Sequence, residues 1–370
     1  MRAASFKPIN ALHAFHTLMR PYIPYALRDK IQKSNIPFIM EYSMKKEMKG
    51  YLKHSKTITQ TMIDQAIKMH GLRSEWAGLY TALNGRPSND YCGDGFFYGR
   101  VFPRLNRADF VNAYRDKNFY DHTQLKNYTI RPLLRKISGR FFDADYTPLN
   151  EDSAASILRN HSDELVIKPA IDSGSGQNVW IGPADGAWNH IVAKRHVLDL
   201  IVQPRIENNE LLKSIYLHSL NTIRLTTLFT GSRYVCLGSV LRVGQKGARV
   251  DNQGQEGLAI GIFDDGSLDT FGYDKYFNKL DKHPETGFIF KNQRLPLYPK
   301  IRDLCLDWHR FFPQFGLVGW DATLDNREQI KLVEVNLKWV NIGLIQVPHG
   351  PIFGAYKDEV KRHYNLPDWE

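Results

Sequence analysis

Residues 318–336 read VGWDATLDNREQIKLVEVN, and apolar and polar side chains alternate on both sides of the polar segment 325–328. This alternation predicts two β-strands joined by a turn. The same criterion predicts further strands upstream, and a helical spacing of apolar residues predicts one long helix. The predicted strands are 165–170, 178–182, 198–203, 221–230, 234–243 and 258–263, and the predicted helix is 299–312. Hairpins together with separate helices indicate the α+β fold class.

Three polar side chains of this hairpin, Asp321, Glu334 and Asn336, are expected on one face of the sheet. With residues 325–328 as the turn, Asp321 stands opposite Leu332, and residues two apart on a strand face the same side. Oxygen-bearing side chains on a rigid hairpin suit Mg²⁺, which prefers oxygen ligands. The sequence therefore favours a metal site here, and the alternative is a row of exposed polar positions on an alternating strand.

Composition limits the class of protein. The chain has 370 residues, 42% hydrophobic and 24% charged, which is typical of a globular protein. Its net charge of +10 favours an anionic partner, and no nucleic-acid-binding motif is found. Cys92, Cys236 and Cys305 lack the spacing of a metal site or of a disulfide framework. No signal peptide or apolar stretch of about 20 residues is found, so a cytoplasmic protein without a transmembrane segment is expected.

The N-terminal part of the chain has a different pattern from the rest. Residues 1 to about 100 show mainly helical spacing, and the segment 84–100 is rich in Gly, Asn, Asp and Pro, which predicts a loop or linker. From about residue 106 the pattern becomes strand-rich. No internal repeat is visible.

A lysine near a predicted strand end is followed by a loop of small residues. Lys168 supplies a fixed positive charge, and backbone N–H groups of the loop can cradle phosphate oxygens. The loop residues are Ser173, Gly174, Ser175 and Gly176. A plain flexible hairpin loop explains the same residues equally well.

The strand at 198–203 is stopped by Pro204, which leaves backbone groups free beyond it. Such groups can bind the edge of an adenine, with Gln203 accepting from its exocyclic amine and Arg205 adjacent. Glu207 or Glu210 would then hold the ribose hydroxyls. Viewed alone, the segment is better explained as an ordinary strand end with a charged loop.

An arginine occupies the polar face of the strand at 221–230. Arg224 lies among threonines there, and its planar guanidinium suits a phosphate or a carboxylate. The alternative is a structural salt bridge with an acid that faces the core. Arg242, Lys246 and Arg249 follow on the paired strand and extend the same positive pocket in this interpretation.

Taken in order, these segments resemble the ATP-grasp superfamily, and in particular the branch called sugar-transfer-associated ATP-grasp proteins. The matching segments cover roughly residues 115–340, and six motifs in the expected order argue against a chance match. They are RDKNFYDHTQL, LVIKPAIDSGSGQNVWIG, LIVQPRIENNELL, HSLNTIRLTTLF, VDNQGQEGLAIGI and VGWDATLDNREQIKLVEVN. The first hundred residues carry no such match.

The resemblance implies an ATP-grasp fold, in which two α+β subdomains grip ATP. These would be residues 106–200 and 201–345, preceded by a mainly helical region at 1–105 and followed by a C-terminal tail at 346–370. The implied roles are phosphate binding for Lys117, Lys168 and the loop 173–176, adenine binding for Gln203, Pro204 and Arg205, ribose binding for Glu207 or Glu210, Mg²⁺ binding for Asp321, Glu334 and Asn336, and catalysis for Arg224, Lys168 and Arg242.

The implied activity is that of a Mg-ATP-dependent ligase, which activates a carboxylate as an acyl phosphate and joins it to an amine. By association with sugar transfer, the substrates would be an amino acid and a sugar acid or polysaccharide precursor. A phosphotransferase on the same fold and a non-catalytic nucleotide-binding protein are the alternatives. The expected cofactors are ATP and Mg²⁺, nucleic acid is not expected as a partner, and a homodimer is left open.

Overall fold

The computed structural model describes residues 48–171, 178–251, 257–338 and 340–368. Within these ranges, two antiparallel sheets are combined with helices, so the predicted α+β class is confirmed. No helix in these ranges has the length and apolar character needed to cross a membrane.

The N-terminal region is helical where it is described. Helices α1 (Gln60–His70) and α2 (Glu75–Asn84) begin after Thr59 and Ser74, whose side-chain oxygens accept hydrogen bonds from backbone amides of the first turn. Both helices end at a glycine in the left-handed conformation, which closes the last turn. Their apolar faces pack together with Val347, close to the C-terminal end of the chain.

The segment 84–100, predicted to be a loop, is helical in its second part. Burial of the aromatic rings of Phe97 and Tyr98 outweighs the loop-forming composition of this segment. The strand-rich part therefore begins at Leu134 and not near residue 106. The helical segments are Asp94–Phe96, the π-helical Phe97–Val101, Phe102–Leu105, α3 (Ala108–Tyr114) and the 3₁₀ turns Phe119–His122 and Gln124–Asn127.

The smaller sheet has the strand order β3-β2-β1-β6-β4-β5 in the described residues. Its strands are β1 (Leu134–Ile137), β2 (Arg140–Phe142), β3 (Pro148–Leu149), β4 (Glu164–Pro169), β5 (Trp180–Pro183) and β6 (Leu200–Pro204). Helices α4 (Glu151–Arg159) and α5 (Ala184–Ala193) form its core with Leu165 and Ile167 of β4. Because side chains alternate along a strand, Glu164 and Lys168 lie on the opposite face.

The larger sheet has the order β11-β10-β9-β8-β7-β12-β13 in the described residues. Its elements are α6 (Glu210–Ile215), β7 (Thr222–Phe229), β8 (Tyr234–Val243), β9 (Leu258–Ile262), β10 (Leu268–Tyr273), β11 (Lys279–Leu280), α7 (Tyr298–His309), β12 (Leu317–Leu324) and β13 (Ile330–Asn336). Ile223 and Leu225 of β7 pack in one core with Ile301 and Trp308 of α7. Arg224 therefore lies on the other face of the sheet.

The β12–β13 hairpin has a different register from the predicted one. Asp321 lies opposite Glu334 and not opposite Leu332. The pairing shifts between Asp321 and Ala322, so that Val333 is an extra residue on β13, as in a β-bulge. The shift brings Glu334 directly beside Asp321, closer than the predicted diagonal position.

Two helices follow the larger sheet, α8 (Ile342–His349) and α9 (Lys357–Tyr364). Leu344 of α8 packs on Val240 and Ala259, and Val240 is the cross-strand neighbour of Arg224. Helix α8 thus covers part of the sheet face that carries Arg224. The four-part domain division at residues 105, 200 and 345 stays a prediction.

We expect the core between β7 and α7 to dominate the stability of the larger sheet. Leu225 is fully buried there, so Leu225→Ala should lower the free energy of unfolding by about 2–5 kcal/mol. Leu217→Ala is the matched control because Leu217 is 63% exposed, and its effect should stay within about 0.5 kcal/mol. Urea unfolding of both variants measures the difference, and equal effects would contradict this account of the core.

Candidate functional site

Asp321 lies at the centre of a buried network of charges on the larger sheet. Arg224 donates to both carboxylate oxygens, with Nη2 at 2.9 Å from Oδ2. Arg242 and Asn336 donate to the same Oδ2, at 3.2 and 3.3 Å. Burial alone would raise the pKa of Asp321, but the two guanidinium groups outweigh it and lower the pKa to about 2. Asp321 is therefore ionised at any physiological pH.

A second carboxylate completes this network. Asp251 accepts from Nη2 of Arg242 at 3.1 Å, and its other oxygen accepts from the hydroxyl of Thr222. Burial raises the pKa of Asp251, and the neighbouring Arg242 opposes that rise. Asp251 was not among the predicted site residues, because an acid that follows a polar loop gives no local signal of a buried ion pair.

Two lysines extend the site toward the smaller sheet. Nζ of Lys117 lies 2.9 Å from Oε1 of Glu334, and its backbone amide donates to the carbonyl of Ala170 at 3.0 Å. Lys168 is 8% exposed and has no ion-pair or hydrogen-bonding partner for its ammonium in the described part of the chain. Burial and the charge of Lys117 lower the pKa of Lys168 to about 8, against the attraction of Glu334 and Asp321.

A buried ammonium without a partner is costly, and an anion placed beside it would remove that cost. The side chain lies on the face of β4 that is turned away from the small core, and the charges of Lys117, Glu334 and Asp321 act on it. The electrostatics of this position therefore favour an anion beside Lys168.

The three residues predicted to bind a metal do come together. Asp321, Glu334 and Asn336 lie on adjacent strands, and Oε2 of Glu334 and Oδ1 of Asn336 make no hydrogen bond within the described ranges. Two carboxylates and an amide oxygen are a donor set that suits Mg²⁺. Both oxygens of Asp321 already accept from arginines, so a cation bound here would share that carboxylate.

The residues predicted to bind adenine and ribose have protein partners in this structure. The side-chain amide of Gln203 donates to the carbonyl of Ile130, and Pro204 ends β6. Arg205 pairs with Glu164. Lys213 lies 2.9 Å from Glu207 and 3.2 Å from Glu210, and both carboxylates are largely exposed.

Two further predicted elements need separate mention. Arg249 does not extend the pocket of Arg242, because its guanidinium contacts Glu164 on the smaller sheet. The phosphate-loop residues Ser173, Gly174, Ser175 and Gly176 lie outside the described residues. Their predicted role stays a prediction.

The two antiparallel sheets and the site of buried lysines, arginines and carboxylates agree with the ATP-grasp fold that the sequence indicated. More particularly, residues 189–360 match the family described as sugar-transfer associated ATP-grasp, which confirms the family indicated by the sequence. The matched region contains Arg224, Arg242, Asp321 and Glu334. This part of the chain is a sugar-transfer-associated ATP-grasp region.

Several solved structures are similar to the chain at low identity. The ATP-grasp ligase PsnB is 8% identical, with 69% of this chain and 64% of that chain covered and a TM-score of 0.40. D-cycloserine synthetase DcsG is 13% identical, with 70% and 73% covered and a TM-score of 0.41. D-alanyl-alanine synthetase A from Vibrio cholerae is 14% identical, with 70% and 65% covered and a TM-score of 0.40.

The chain thus spans slightly less than two thirds of the length of PsnB and of the V. cholerae synthetase. Another structure of PsnB contains Mg and ADP. No curated protein matches the chain.

The burial of Lys168 has a testable consequence for stability. Its pKa falls from 10.5 to about 8 on folding, so the charged lysine opposes folding fully below about pH 8, and this penalty fades as the pH rises from 8 toward 10.5. Lys168→Met should therefore stabilise the protein by about 1–3 kcal/mol at neutral pH, and by less at alkaline pH.

Lys117→Met is the matched control, because it removes the ion-pair partner of Glu334 and should not stabilise the protein. Urea unfolding at about pH 7 and pH 9.5 measures both variants. A Lys168→Met protein less stable than wild type at neutral pH would show that Lys168 has a compensating partner.

Proposed function

We propose that the protein is a Mg-ATP-dependent ligase that activates a carboxylate as an acyl phosphate and joins it to an amine. The observation that carries the proposal is the buried ammonium of Lys168, which has no partner among the described residues and lies beside Lys117, Glu334 and Asp321. A triphosphate beside Lys168 would offset the free-energy cost of burying its ammonium. The family match over residues 189–360 supports ATP as the source of that triphosphate.

In the proposed reaction, a carboxylate oxygen of the acid substrate attacks the γ-phosphorus of ATP, and the bond to the β,γ-bridging oxygen breaks. The products are an acyl phosphate and ADP. The amine then attacks the acyl carbon, phosphate leaves with the bonding electron pair, and the amine loses a proton as the amide forms. Such a reaction depends mainly on positioning and charge compensation by the protein.

The side chains of the site have separate parts in this scheme. Lys168 and Lys117 hold phosphate oxygens, and Arg224 and Arg242 compensate charge on the transferring group. Asp321, Glu334 and Asn336 would hold Mg²⁺, which when bound neutralises charge on the phosphates. The burial of these groups strengthens their electrostatic effect relative to water.

The substrate class follows from the family description and not from the site itself. By association with sugar transfer, we propose an amino acid as the amine and a sugar-linked carboxylate as the acid. Incubation with ATP, Mg²⁺ and panels of both classes tests this proposal. Amide formation with release of ADP and phosphate supports the ligase, whereas a phosphorylated product identifies a phosphotransferase. Stabilisation by ATP without any ADP release would contradict both enzymatic functions.

Glu334→Gln should lower ATP turnover by at least about 10²-fold, because it removes a charge that is partly exposed toward the site. It is a better test than a change at Asp321, whose loss would leave the buried Arg224 without its carboxylate partner and Arg242 with Asp251 alone. Asp307→Asn, at a carboxylate that is 62% exposed and remote from the site on α7, is the matched control. Turnover at the wild-type rate in Glu334→Gln would exclude the metal assignment.

Nucleotide affinity should also depend on pH in a defined direction. Lys168 attracts phosphate only as an ammonium, and its pKa is about 8. The affinity for ADP should therefore fall as the pH rises above about 8, by up to tenfold per pH unit. Lys168→Arg, which stays charged, should remove this fall. Calorimetric titrations from about pH 7 to pH 9.5 measure the dependence. The same slope in wild type and Lys168→Arg would assign the titration to another group.

A further inference from the structure

The short segment 249–251 links the two sheets and has no assigned role. It lies in the connection between β8 and β9, and Val250 forms an isolated parallel bridge with Leu220, just before β7. Its two outer residues contact different sheets. Arg249 contacts the smaller sheet, and Asp251 contacts the buried network of the larger sheet.

The Asp251 end fixes the orientation of Arg242. Nη2 of Arg242 lies 3.1 Å from Asp251, and Nη1 lies 3.2 Å from Asp321, so one carboxylate holds each terminal nitrogen of the guanidinium. Thr222 donates to the second oxygen of Asp251 and thereby orients that carboxylate. Because guanidinium is planar, two such contacts determine the direction of its remaining N–H groups.

The Arg249 end fixes the strand that carries Lys168. Nη2 of Arg249 lies 2.7 Å from both carboxylate oxygens of Glu164, and Nη1 lies 3.0 Å from the carbonyl oxygen of Ile181 on β5. Glu164 and Lys168 share one face of β4. The contact therefore holds β4 at its Glu164 end, four residues from the ammonium of Lys168.

We propose that residues 249–251 form a brace that sets Arg242 and Lys168 in their working positions relative to each other. In this inference Asp251 and Arg249 are positioning residues, acting through Arg242 and through Glu164. The inference rests on the proposed function, because it assumes that Arg242 and Lys168 serve one reaction.

The two ends of the brace differ in energy. Arg249 and Glu164 are partly exposed, and ion pairs of that kind add little stability, so the contact mainly fixes geometry. Asp251 is buried against Arg242, and its removal would leave a buried charge with one partner fewer. Changes at Arg249 should therefore leave the fold intact, which makes that end the safer place to test the brace.

The first test measures the position of the smaller sheet in the protein without nucleotide. Spin labels are attached through Arg140→Cys on β2 and Arg310→Cys after α7, two exposed positions, in a Cys236→Ser background. Pulsed electron spin resonance should show a broader distance distribution for Arg249→Met and Glu164→Gln than for the parent. Asp145→Asn, which removes an exposed ion pair near the same sheet, is the control and should leave it unchanged.

The second test measures the coupling between the two ends. Asp251→Asn should lower kcat for ATP turnover by about tenfold or more, because Arg242 loses a carboxylate that orients it. It should not weaken ADP binding, because the change removes a negative charge and no positive one. Thr222→Val should have a smaller effect in the same direction, and it replaces Asp251→Asn if that protein does not fold. In the Arg249→Met/Asp251→Asn double variant, the combined loss should be clearly smaller than the product of the single losses.

Two results would overturn the brace. One is an unchanged distance distribution in Arg249→Met and Glu164→Gln. The other is a loss of kcat in the double variant that equals the product of the two single-variant losses to within about twofold. Failure of the proposed function looks different. A wild-type protein without ATP turnover would refute the ligase, while the distance measurement would still decide whether residues 249–251 hold the smaller sheet.

Discussion

The arrangement of the site on the larger sheet depends on buried carboxylates and guanidinium groups that neutralise one another. The carboxylates of Asp251 and Asp321 face the guanidinium groups of Arg224 and Arg242, and each charge has a partner within about hydrogen-bonding distance. Removing Asp321 would leave Arg224 unpaired and removing Arg242 would leave Asp251 unpaired, each at a cost of roughly 3–5 kcal/mol. Since these residues come from β7, β8, β12 and the segment before β9, the ion pairs also determine how those elements are aligned.

The cations of the site fall into two kinds, and this difference decides where an anion binds. Arg224, Arg242 and Lys117 are already neutralised by carboxylates. Lys168 is buried and has no such partner in the part of the chain that the structure describes, and its lowered pKa reflects that cost. A polyanion gains the most binding free energy beside the cation that lacks a carboxylate partner, so the phosphates of the proposed nucleotide are expected at Lys168. The arginines can bind an anion only when Asp321 or Asp251 gives up part of its contact with them.

The sequence predicted the strands well because alternation and turn residues are local signals, as for β7, β8 and the β12–β13 hairpin. It failed at the register of that hairpin, because an extra residue such as Val333 changes the pairing without changing the apolar pattern. It also could not identify the partner of Arg224, since Asp321 is 97 residues away and becomes its neighbour only through strand pairing. The helical run after Asp94 was missed because aromatic burial outweighed the local composition.

The shared carboxylate of Asp321 links metal binding to substrate binding in the proposed reaction. A cation on Asp321 competes with the guanidinium groups for the same oxygens, so it weakens the hold on Arg224 and Arg242. Released guanidinium groups attract an anion, and an anion that engages them in turn frees Asp321 for the cation. By reciprocity of linked equilibria, each ligand then favours the other. In the proposed reaction, magnesium and the reacting anion are therefore expected to bind more tightly together than either does alone.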